Sequence, residues 1–180
     1  MTTSSDKMLV QAVFAGDKAA YEKLYDRYAP LIRAVCYDEA GNLADAQDLA
    51  QDVFMRAYEN LDNLRDPDRF GRWLMGIARL RCKEWRRLKR RRRDSDAELN
   101  SSRPVTPDPW DNGQLKWLRD TISMLPEKER LALHAFYLQE QSAEDARRTV
   151  GLSRSGFYQA LERARKQLTT LLVQKREDLP

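Results

Sequence analysis

Residues 142–172 read SAEDARRTVGLSRSGFYQALERARKQLTTLL, and this stretch decides how the C-terminal part of the chain folds. Ser142, followed three residues later by Asp145, has the pattern of a capping box, which predicts that a helix begins here. Gly151 ends that short helix, because glycine readily takes the left-handed conformation that follows a last helical turn. Ser153 then caps a second, longer helix. A short helix, a glycine turn and a basic second helix have the layout of a helix-turn-helix.

The second helix of this motif has an apolar face and a basic face. Its apolar positions recur at helical spacing, at Leu152, Phe157, Leu161, Ala164 and Leu168. The second helix of a helix-turn-helix enters the major groove of DNA, where Arg and Gln bind base edges and other side chains reach phosphates. The residues predicted to face DNA are Arg154, Tyr158, Gln159, Arg163, Arg165 and Lys166. An ordinary helical hairpin with a solvated basic face is the alternative.

The charges of the chain are strongly segregated. The 180 residues are 42% hydrophobic and 33% charged with a net charge of +4, which allows one ordinary domain or two small ones. Nine acidic and two basic residues lie between Asp38 and Asp68, whereas ten basic residues and one acidic residue lie between Arg79 and Arg93. The basic run predicts an anionic partner, which is a nucleic acid, an acidic membrane surface or an acidic protein, unless it is a solvated tail.

Several classes of protein are disfavoured by the composition. Cys36 and Cys82 are far apart, and with His134 they make no plausible zinc site, so we expect two free thiols and no metal. The N-terminal residues MTTSSDKMLV lack an apolar signal core, and no run approaches the roughly 20 apolar residues of a membrane span, so we expect a cytoplasmic protein without a membrane span. We find no phosphate loop and no paired acids beside a nucleophile. The sequence therefore predicts no enzyme and no cofactor, with His134 packed among apolar residues.

The chain is predicted to be all-α, since no segment shows convincing strand alternation. A helix break is expected at the Gly16-Asp17 pair, where glycine closes one helix and aspartate caps the next. Residues 94–113 lose the helical periodicity and contain three prolines, which is typical of a linker. We therefore expect two small helical domains, residues 1–93 and 114–180, joined by a flexible linker.

Two helices of the N-terminal domain carry stripes of opposite charge. At 100° per residue, each stripe spans about 60° of its helix, opposite an apolar face. The acidic stripe consists of Asp45, Asp48, Asp52 and Glu59, and the basic stripe of Arg72, Arg79, Lys83, Arg86 and Arg90. The apolar faces consist of Ala46, Leu49, Ala50, Val53, Phe54, Ala57 and Leu61 on the first helix, and of Phe70, Leu74, Ile77, Ala78, Trp85 and Leu88 on the second. A polyanion along the second helix would explain its stripe, and Trp73 either stacks on an unpaired base or packs in the core.

Two segments resemble a known family. Residues 45–93, from DAQDLAQDVFMRAYENLDNL to RRLKRRRR, resemble conserved region 2 of bacterial sigma factors of the extracytoplasmic-function (ECF) group. Residues 125–168, from LPEKERLALHAFYL to LERARKQL, resemble region 4 of the same proteins. The resemblance implies a non-catalytic initiation subunit that binds core RNA polymerase, reads two promoter elements and helps to open the duplex. Its implied partners are the core enzyme, promoter DNA and an anti-sigma factor that inserts between the two domains.

The resemblance also assigns roles to residues. For binding of the core polymerase it implies Asp45, Asp48, Gln51, Asp52, Met55 and Glu59. For the minus-ten element, including capture of an unstacked base, it implies Asn63, Arg65, Phe70, Arg72, Trp73, Arg79, Lys83, Arg86, Arg87 and Arg90. For the minus-thirty-five element it implies the helix from Ser153, which adds Ser153 and Ser155 to the six residues named above. Arg147 stands where the family usually has a small alanine, and Leu80 replaces a common asparagine.

Two other functions remain open at this point. A free-standing helix-turn-helix regulator would bind DNA without polymerase, although it would have no need of the acidic stripe. An interaction protein would use the basic run to bind an acidic partner.

Overall fold

The computed structural model describes residues 4–96, 113–138 and 142–177, and every regular element within these ranges is helical. In chain order the helices are α1 (Asp6–Phe14), α2 (Lys18–Ala40), α3 (Leu43–Glu59), α4 (Phe70–Asp96), α5 (Gly113–Ser123), α6 (Glu127–Leu138), α7 (Ala143–Val150) and α8 (Arg154–Glu177). Short 3-10 turns at Leu61–Asn63 and Pro67–Arg69 connect α3 to α4. The all-α prediction is confirmed. Most of the predicted linker lies outside the described residues, but α4 continues three residues into it.

Helix boundaries in the N-terminal part follow local capping residues. Gly16 has φ of 94°, and the side chain of Asp17 accepts a hydrogen bond from the Ala19 N–H at 2.9 Å, so the predicted break is confirmed. Gly41 ends α2 with φ of 76°, and the side chain of Asn42 caps α3. Asn42 satisfies one of the otherwise unpaired N–H groups at the start of α3, which fixes where the acidic stripe begins.

The N-terminal core lies between α2, α3 and α4. All seven apolar positions predicted for the first stripe-bearing helix are buried, and so are Phe70, Leu74 and Ala78 of α4. Ile77 and Trp85 are half-buried. The prediction for Leu88 is wrong, because its side chain is 52% exposed. At this level α4 has reached the end of α2, where Lys89 Nζ donates to the carbonyl oxygen of Ala40 at 3.2 Å.

The helix-turn-helix forms as the capping pattern predicts. Ser142 Oγ accepts from the Asp145 N–H at 3.2 Å and donates to Asp145 Oδ2 at 2.6 Å. Gly151 ends α7 with φ of 74°, a conformation that strains any other residue. Ser153 Oγ then accepts from the Gly156 N–H at 3.1 Å at the start of α8. These local hydrogen bonds set the turn between the two helices.

The C-terminal helices pack directly against the N-terminal helices. α6 contacts α2, and α7 contacts α4. Eight buried residues of the C-terminal part belong to the same apolar cluster as the N-terminal core: Leu131, Ala132, Ala135, Ala146, Val150, Phe157, Ala160 and Leu161. A smaller cluster of Leu125, Leu133 and Ala164 lies between α5, α6 and α8. Helices of both parts of the chain therefore share the main apolar core, and the smaller cluster lies beside it.

Candidate polymerase and nucleic-acid interfaces

The exposed face of α3 combines acidic and apolar side chains. Asp48, Gln51 and Glu59 are exposed, and Met55 beside them is 55% exposed. Tyr58 is also exposed, and its ring meets that of Tyr21 edge-on with 4.9 Å between centroids. Large exposed apolar side chains flanked by charges are typical of a protein-binding surface. The sequence analysis did not include Tyr58. Its position beside Met55 and Glu59, at the same end of the helix, could have indicated that it belongs to this surface.

Two members of the acidic stripe also make contacts within the fold. Asp45 Oδ2 accepts from Asn42 Nδ2 at 2.8 Å, as part of the α3 cap. Asp52 pairs with Arg56 of its own helix at 3.3 Å and with Arg81 of α4. The charge of Asp52 is therefore partly neutralised inside the protein, and the most available acids of the stripe are Asp48 and Glu59.

The basic stripe is exposed along α4, but its members differ in their contacts. Arg86 makes a two-pronged ion pair with Glu39 of α2, with 2.6 Å between Nε and Oε1, and this carboxylate raises the pKa of Arg86. Arg79 lies 3.6 Å from Glu127 of α6. The exposed cations Arg72, Lys83, Arg87 and Arg90 make no ion pair with any residue that the structure describes. These four are the most available for phosphates.

The two aromatic residues predicted to contact DNA are placed differently. Phe70 has no exposed surface, and its ring centroid lies 5.5 Å from that of Tyr28. A direct contact of Phe70 with a base is therefore wrong for this structure, because the first turn of α4 faces the core. Trp73 is half-buried and packs 6.0 Å from Phe70. Phe70 supports Trp73 from within, and only Trp73 presents an edge to the surface.

The segment between α3 and α4 presents polar side chains from a fixed backbone. Leu61 and Leu64 are buried, whereas Asn63 and Arg65 are exposed between and after them. The Asn63 N–H bonds the Asn60 carbonyl oxygen at 2.9 Å. Alternating burial holds this short segment against the core while its polar side chains point outward.

All eight residues predicted to face DNA from α8 and from the position before it are exposed. They are Ser153, Arg154, Ser155, Tyr158, Gln159, Arg163, Arg165 and Lys166. Arg165, however, lies over α6: its guanidinium is 5.5 Å from the centroid of the Phe136 ring and donates to Tyr137 Oη at 3.2 Å. Lys166 pairs with Glu162 at 2.7 Å and lowers the pKa of that carboxyl. Arg165 therefore has a packing role that projection of one helix could not reveal.

The family model for sigma-70 region 2 matches residues 24–93, which contain α3 and all but the last three residues of α4. The chain is 30% identical to the ECF RNA polymerase sigma factor SigW of Bacillus subtilis, over 92% of this chain and 97% of that protein. It is 31% identical to the RNA polymerase sigma-H factor of Pseudomonas aeruginosa, over 96% and 98% of the two chains. The chain belongs to the ECF sigma factor family.

Two solved structures share the fold of this ECF sigma factor. CnrH, solved in complex with the cytosolic domain of CnrY, superposes with a TM-score of 0.67 at 22% identity, and covers 94% of this chain and 97% of CnrH. The sigma factor RpoE of Bartonella quintana, solved with the anti-sigma factor NepR, gives a TM-score of 0.58 at 24% identity over 84% and 96% of the two chains. At these identities the similarity concerns the fold.

The two departures from the family pattern are both accommodated at the surface. Ala146, only 1% exposed, provides the small buried side chain of α7. Arg147 points away from the core, pairs with Glu144 at 2.7 Å and donates to the Leu152 carbonyl oxygen at 3.3 Å. Leu80 is exposed on α4. Arg147 therefore ties α7 to the turn that follows it.

The remaining chemistry-bearing residues lie within the core. Cys36 and Cys82 are both free and buried, and the neighbouring Cys82 thiol and burial raise the pKa of Cys36. His134 is partly buried and makes a polar contact, because its Nε2 lies 3.1 Å from Asp38 Oδ2. Within the described ranges no group of side chains could hold a metal ion, and no helix has the length and apolarity to cross a membrane.

Proposed function

We propose that this ECF sigma factor binds core RNA polymerase through α3 while α4 and α8 bind the two promoter elements. The observation that carries the proposal is the pair of stripes of opposite charge on adjacent helices, each with exposed members, which the Asp52–Arg81 ion pair joins. One stripe suits a basic or apolar protein surface, and the other suits phosphates. A regulator that binds DNA alone would have no use for the first stripe.

The polymerase face is the surface of α3 made by Asp48, Gln51, Met55 and Glu59, together with Tyr58. Exposed Met and Tyr side chains at the centre of a patch provide binding energy, and the flanking acids select a partner of opposite charge. Asp45 and Asp52 contribute mainly by fixing the start of α3 and its contact with α4.

The minus-ten element is bound, in this proposal, by the segment between α3 and α4 and by the outer side of α4. Arg72, Lys83, Arg87 and Arg90 hold phosphates, each adding salt-dependent affinity. Asn63, Arg65 and the exposed edge of Trp73 meet unstacked bases of the opened strand. Unstacking a base step costs a few kcal/mol, and binding of the released bases and phosphates offsets this cost. Opening then needs no nucleotide hydrolysis, and the protein is not an enzyme.

The minus-thirty-five element is read by the N-terminal half of α8. Arg154, Ser155, Tyr158, Gln159 and Arg163 are exposed there, in the helix that a helix-turn-helix places in the major groove. Arg163 and Gln159 can each form two hydrogen bonds with the edge of one base. Arg154 lies at the N-terminus of the helix, where contacts with phosphates are common.

We also propose an anti-sigma factor as a partner. The solved structures of CnrH and RpoE that share this fold were determined in complexes with CnrY and NepR. Such a protein would bind surfaces that polymerase also uses, in the cytoplasm where transcription takes place.

The decisive experiment is run-off transcription with purified core polymerase, this protein and a library of promoter fragments. Specific transcripts support the proposal and give the sequence preference at both elements. Tight binding to duplex promoter DNA without core enzyme, together with an absence of transcripts, would instead identify a free-standing regulator. Binding to an acidic protein with neither result would identify an interaction protein.

A further inference from the structure

Two exposed positions on α4, Gly76 and Leu80, are not explained by the packing of the helix. Gly76 does not have a positive φ, and a β-carbon built on it would have open space around it among the described residues. Neither the backbone nor the core therefore requires glycine here, although glycine inside a helix is less stable than alanine. Leu80, one turn further along, is 56% exposed, so burial does not explain a leucine either.

Gly76 lies within the row of available cations on α4. At 100° per residue, Arg72, Lys83 and Arg87 project within about 40° of Gly76 around the helix. These three side chains are exposed and make no ion pair within the described ranges. An anionic strand that follows this row passes directly over Gly76. Because glycine has no side chain, the strand can approach the helix backbone more closely there than at any other residue type.

One side of this row is apolar. Leu80 and Trp73 project about 40° and 60° from Gly76 in the same direction. Trp73 is half-buried and its ring centroid lies 6.0 Å from that of Phe70, so its position is supported from the core. We call Trp73 and Leu80 the apolar edge of the row. A strand whose phosphates follow the cations can turn its bases toward this edge.

The two members of the apolar edge offer a base different contacts. An aromatic ring stacks on the face of any base, so Trp73 contributes affinity with little sequence preference. A leucine side chain has no hydrogen-bonding group, and it would leave the polar edge of a base without a partner when it displaced water. Thymine is the base that presents a methyl group at its edge, and apolar side chains contact this methyl group. Leu80 therefore suits thymine.

We propose that Leu80 selects a thymine in the opened strand of the minus-ten element by packing against its methyl group, while Gly76 allows the strand to approach the helix. The inference rests on the proposed function and adds a specificity-determining residue to it. The neighbouring cations favour a phosphate-bearing strand over a protein as the occupant of this surface. Burial of one methyl group corresponds to about a fourfold gain in affinity.

The first test uses the isolated protein and two 20-nucleotide single strands, oligothymidylate and oligodeoxyuridylate, which differ only in the methyl group. Fluorescence anisotropy should give a dissociation constant about fourfold lower for the thymidine strand. Leu80→Asn should bind the two strands equally, whereas Leu80→Met should keep the preference because it keeps an apolar side chain. Leu88→Asn is the matched control, since Leu88 is a 52% exposed leucine of the same helix that projects about 120° from Gly76.

The second test fills the space at Gly76. Gly76→Gln should weaken binding of both strands about fivefold or more, which is the loss expected when one base no longer stacks. The same substitution should raise the midpoint of thermal unfolding, because glutamine forms helices more readily than glycine. Weaker binding by a more stable protein cannot result from unfolding. Ala19→Gln, at an exposed position of α2, is the control and should leave binding unchanged.

The third test finds the thymine in a promoter. Core polymerase is assembled with the wild type or with Leu80→Asn, and each thymine of the opened minus-ten strand is replaced by deoxyuridine, one position at a time. With the wild type, open-complex formation should weaken about fourfold at one position. With Leu80→Asn, the replacement at that position should have no effect.

Each outcome decides between named alternatives. Equal affinity of the wild type for the two oligonucleotides, or a preference that Leu80→Asn retains, would show that Leu80 does not contact a thymine methyl group. Weaker binding of core polymerase by Leu80→Asn, with an unchanged thymine preference, would make Leu80 part of a protein interface instead. Failure of the proposed function would appear separately, as an absence of run-off transcripts from the wild type, while the oligonucleotide comparison would still decide the role of Leu80.

Discussion

Asp52 of α3 and Arg81 of α4 form an ion pair that connects the proposed polymerase face to the proposed DNA helix. Arg81 also pairs with Glu84 one turn further along α4. Because both helices pack through the same core, a force on one face is transmitted to the other through packed side chains and this pair. The two faces therefore belong to one packed unit.

Asp48 and Asp52 should respond differently to substitution. We expect Asp48→Lys to weaken binding of core polymerase by tenfold or more on the scale of about 1.4 kcal/mol per tenfold, with unchanged stability, because Asp48 is exposed. Asp52→Ala should lower the free energy of unfolding by only about 1 kcal/mol, since its ion pairs are partly solvated. Urea unfolding and a competition assay for core enzyme measure the two effects. Polymerase binding that is indifferent to Asp48→Lys would remove α3 from the interface.

Lys83 and Arg86 form a second contrasting pair, on α4. Lys83→Ala should weaken binding of single-stranded DNA and reduce the salt slope by about 1, because Lys83 makes no ion pair within the described residues. Arg86→Ala should have the smaller effect on the salt slope, since its guanidinium is already paired with Glu39. Titrations at several salt concentrations separate the two. Equal changes of the salt slope in Lys83→Ala and Arg86→Ala would contradict the conclusion that Lys83 is available for phosphates while Arg86 is paired.

Arg163 and Arg165 should separate DNA reading from packing on α8. Arg163→Ala should weaken binding at the minus-thirty-five element by about 1–3 kcal/mol and relax its sequence preference. Arg165→Ala should instead lower thermal stability, because the Arg165 side chain packs on Phe136 and Tyr137. Competition with mutated promoter fragments and thermal unfolding give the two measurements. If Arg165→Ala changed the preference for the promoter sequence and Arg163→Ala did not, the roles given to these two residues would be reversed.

Tyr21 should make the fold sensitive to alkaline pH. Its hydroxyl donates to the Phe54 carbonyl oxygen at 2.6 Å, and burial is the main cause that raises the pKa of Tyr21 above its ordinary value. Near pH 10 and above, the unfolded chain releases this proton while the folded chain retains it, so the free energy of unfolding falls as pH rises. Tyr21→Phe should cost about 1 kcal/mol at pH 7 and flatten the alkaline decline. Urea unfolding from pH 7 to 11 tests this, and an unchanged slope in the variant would exclude Tyr21 as its source.

Features that depend on neighbours in sequence could be predicted, and those that depend on other helices could not. Ser142, Gly151 and Asp17 act within one turn of the backbone, so their capping roles are readable from the chain alone. The partners of Arg86 and Arg165 lie 47 and 28 positions away, on α2 and α6. Projection of a single helix treats every outward cation as solvated, and therefore cannot distinguish a paired cation from an available one.

The same limitation explains the errors at Phe70 and Leu88. Phe70 was predicted both as part of the apolar face and as a DNA contact, and the packing of Tyr28 decides in favour of the core. Leu88 has the spacing of a core residue, but α2 ends beside it. The length of the helix opposite decides which apolar positions are covered, and that length is a property of another segment.

The overhang of α4 past the end of α2 has a mechanical consequence. From Lys89 to Asp96 the helix continues for seven residues, which at 1.5 Å each extend it roughly 10 Å beyond its support. The exposed arginines from Arg90 to Arg92 lie on this part of α4. This extension carries exposed cations of α4 away from the packed core, and shortening it should remove DNA contacts while leaving that core intact.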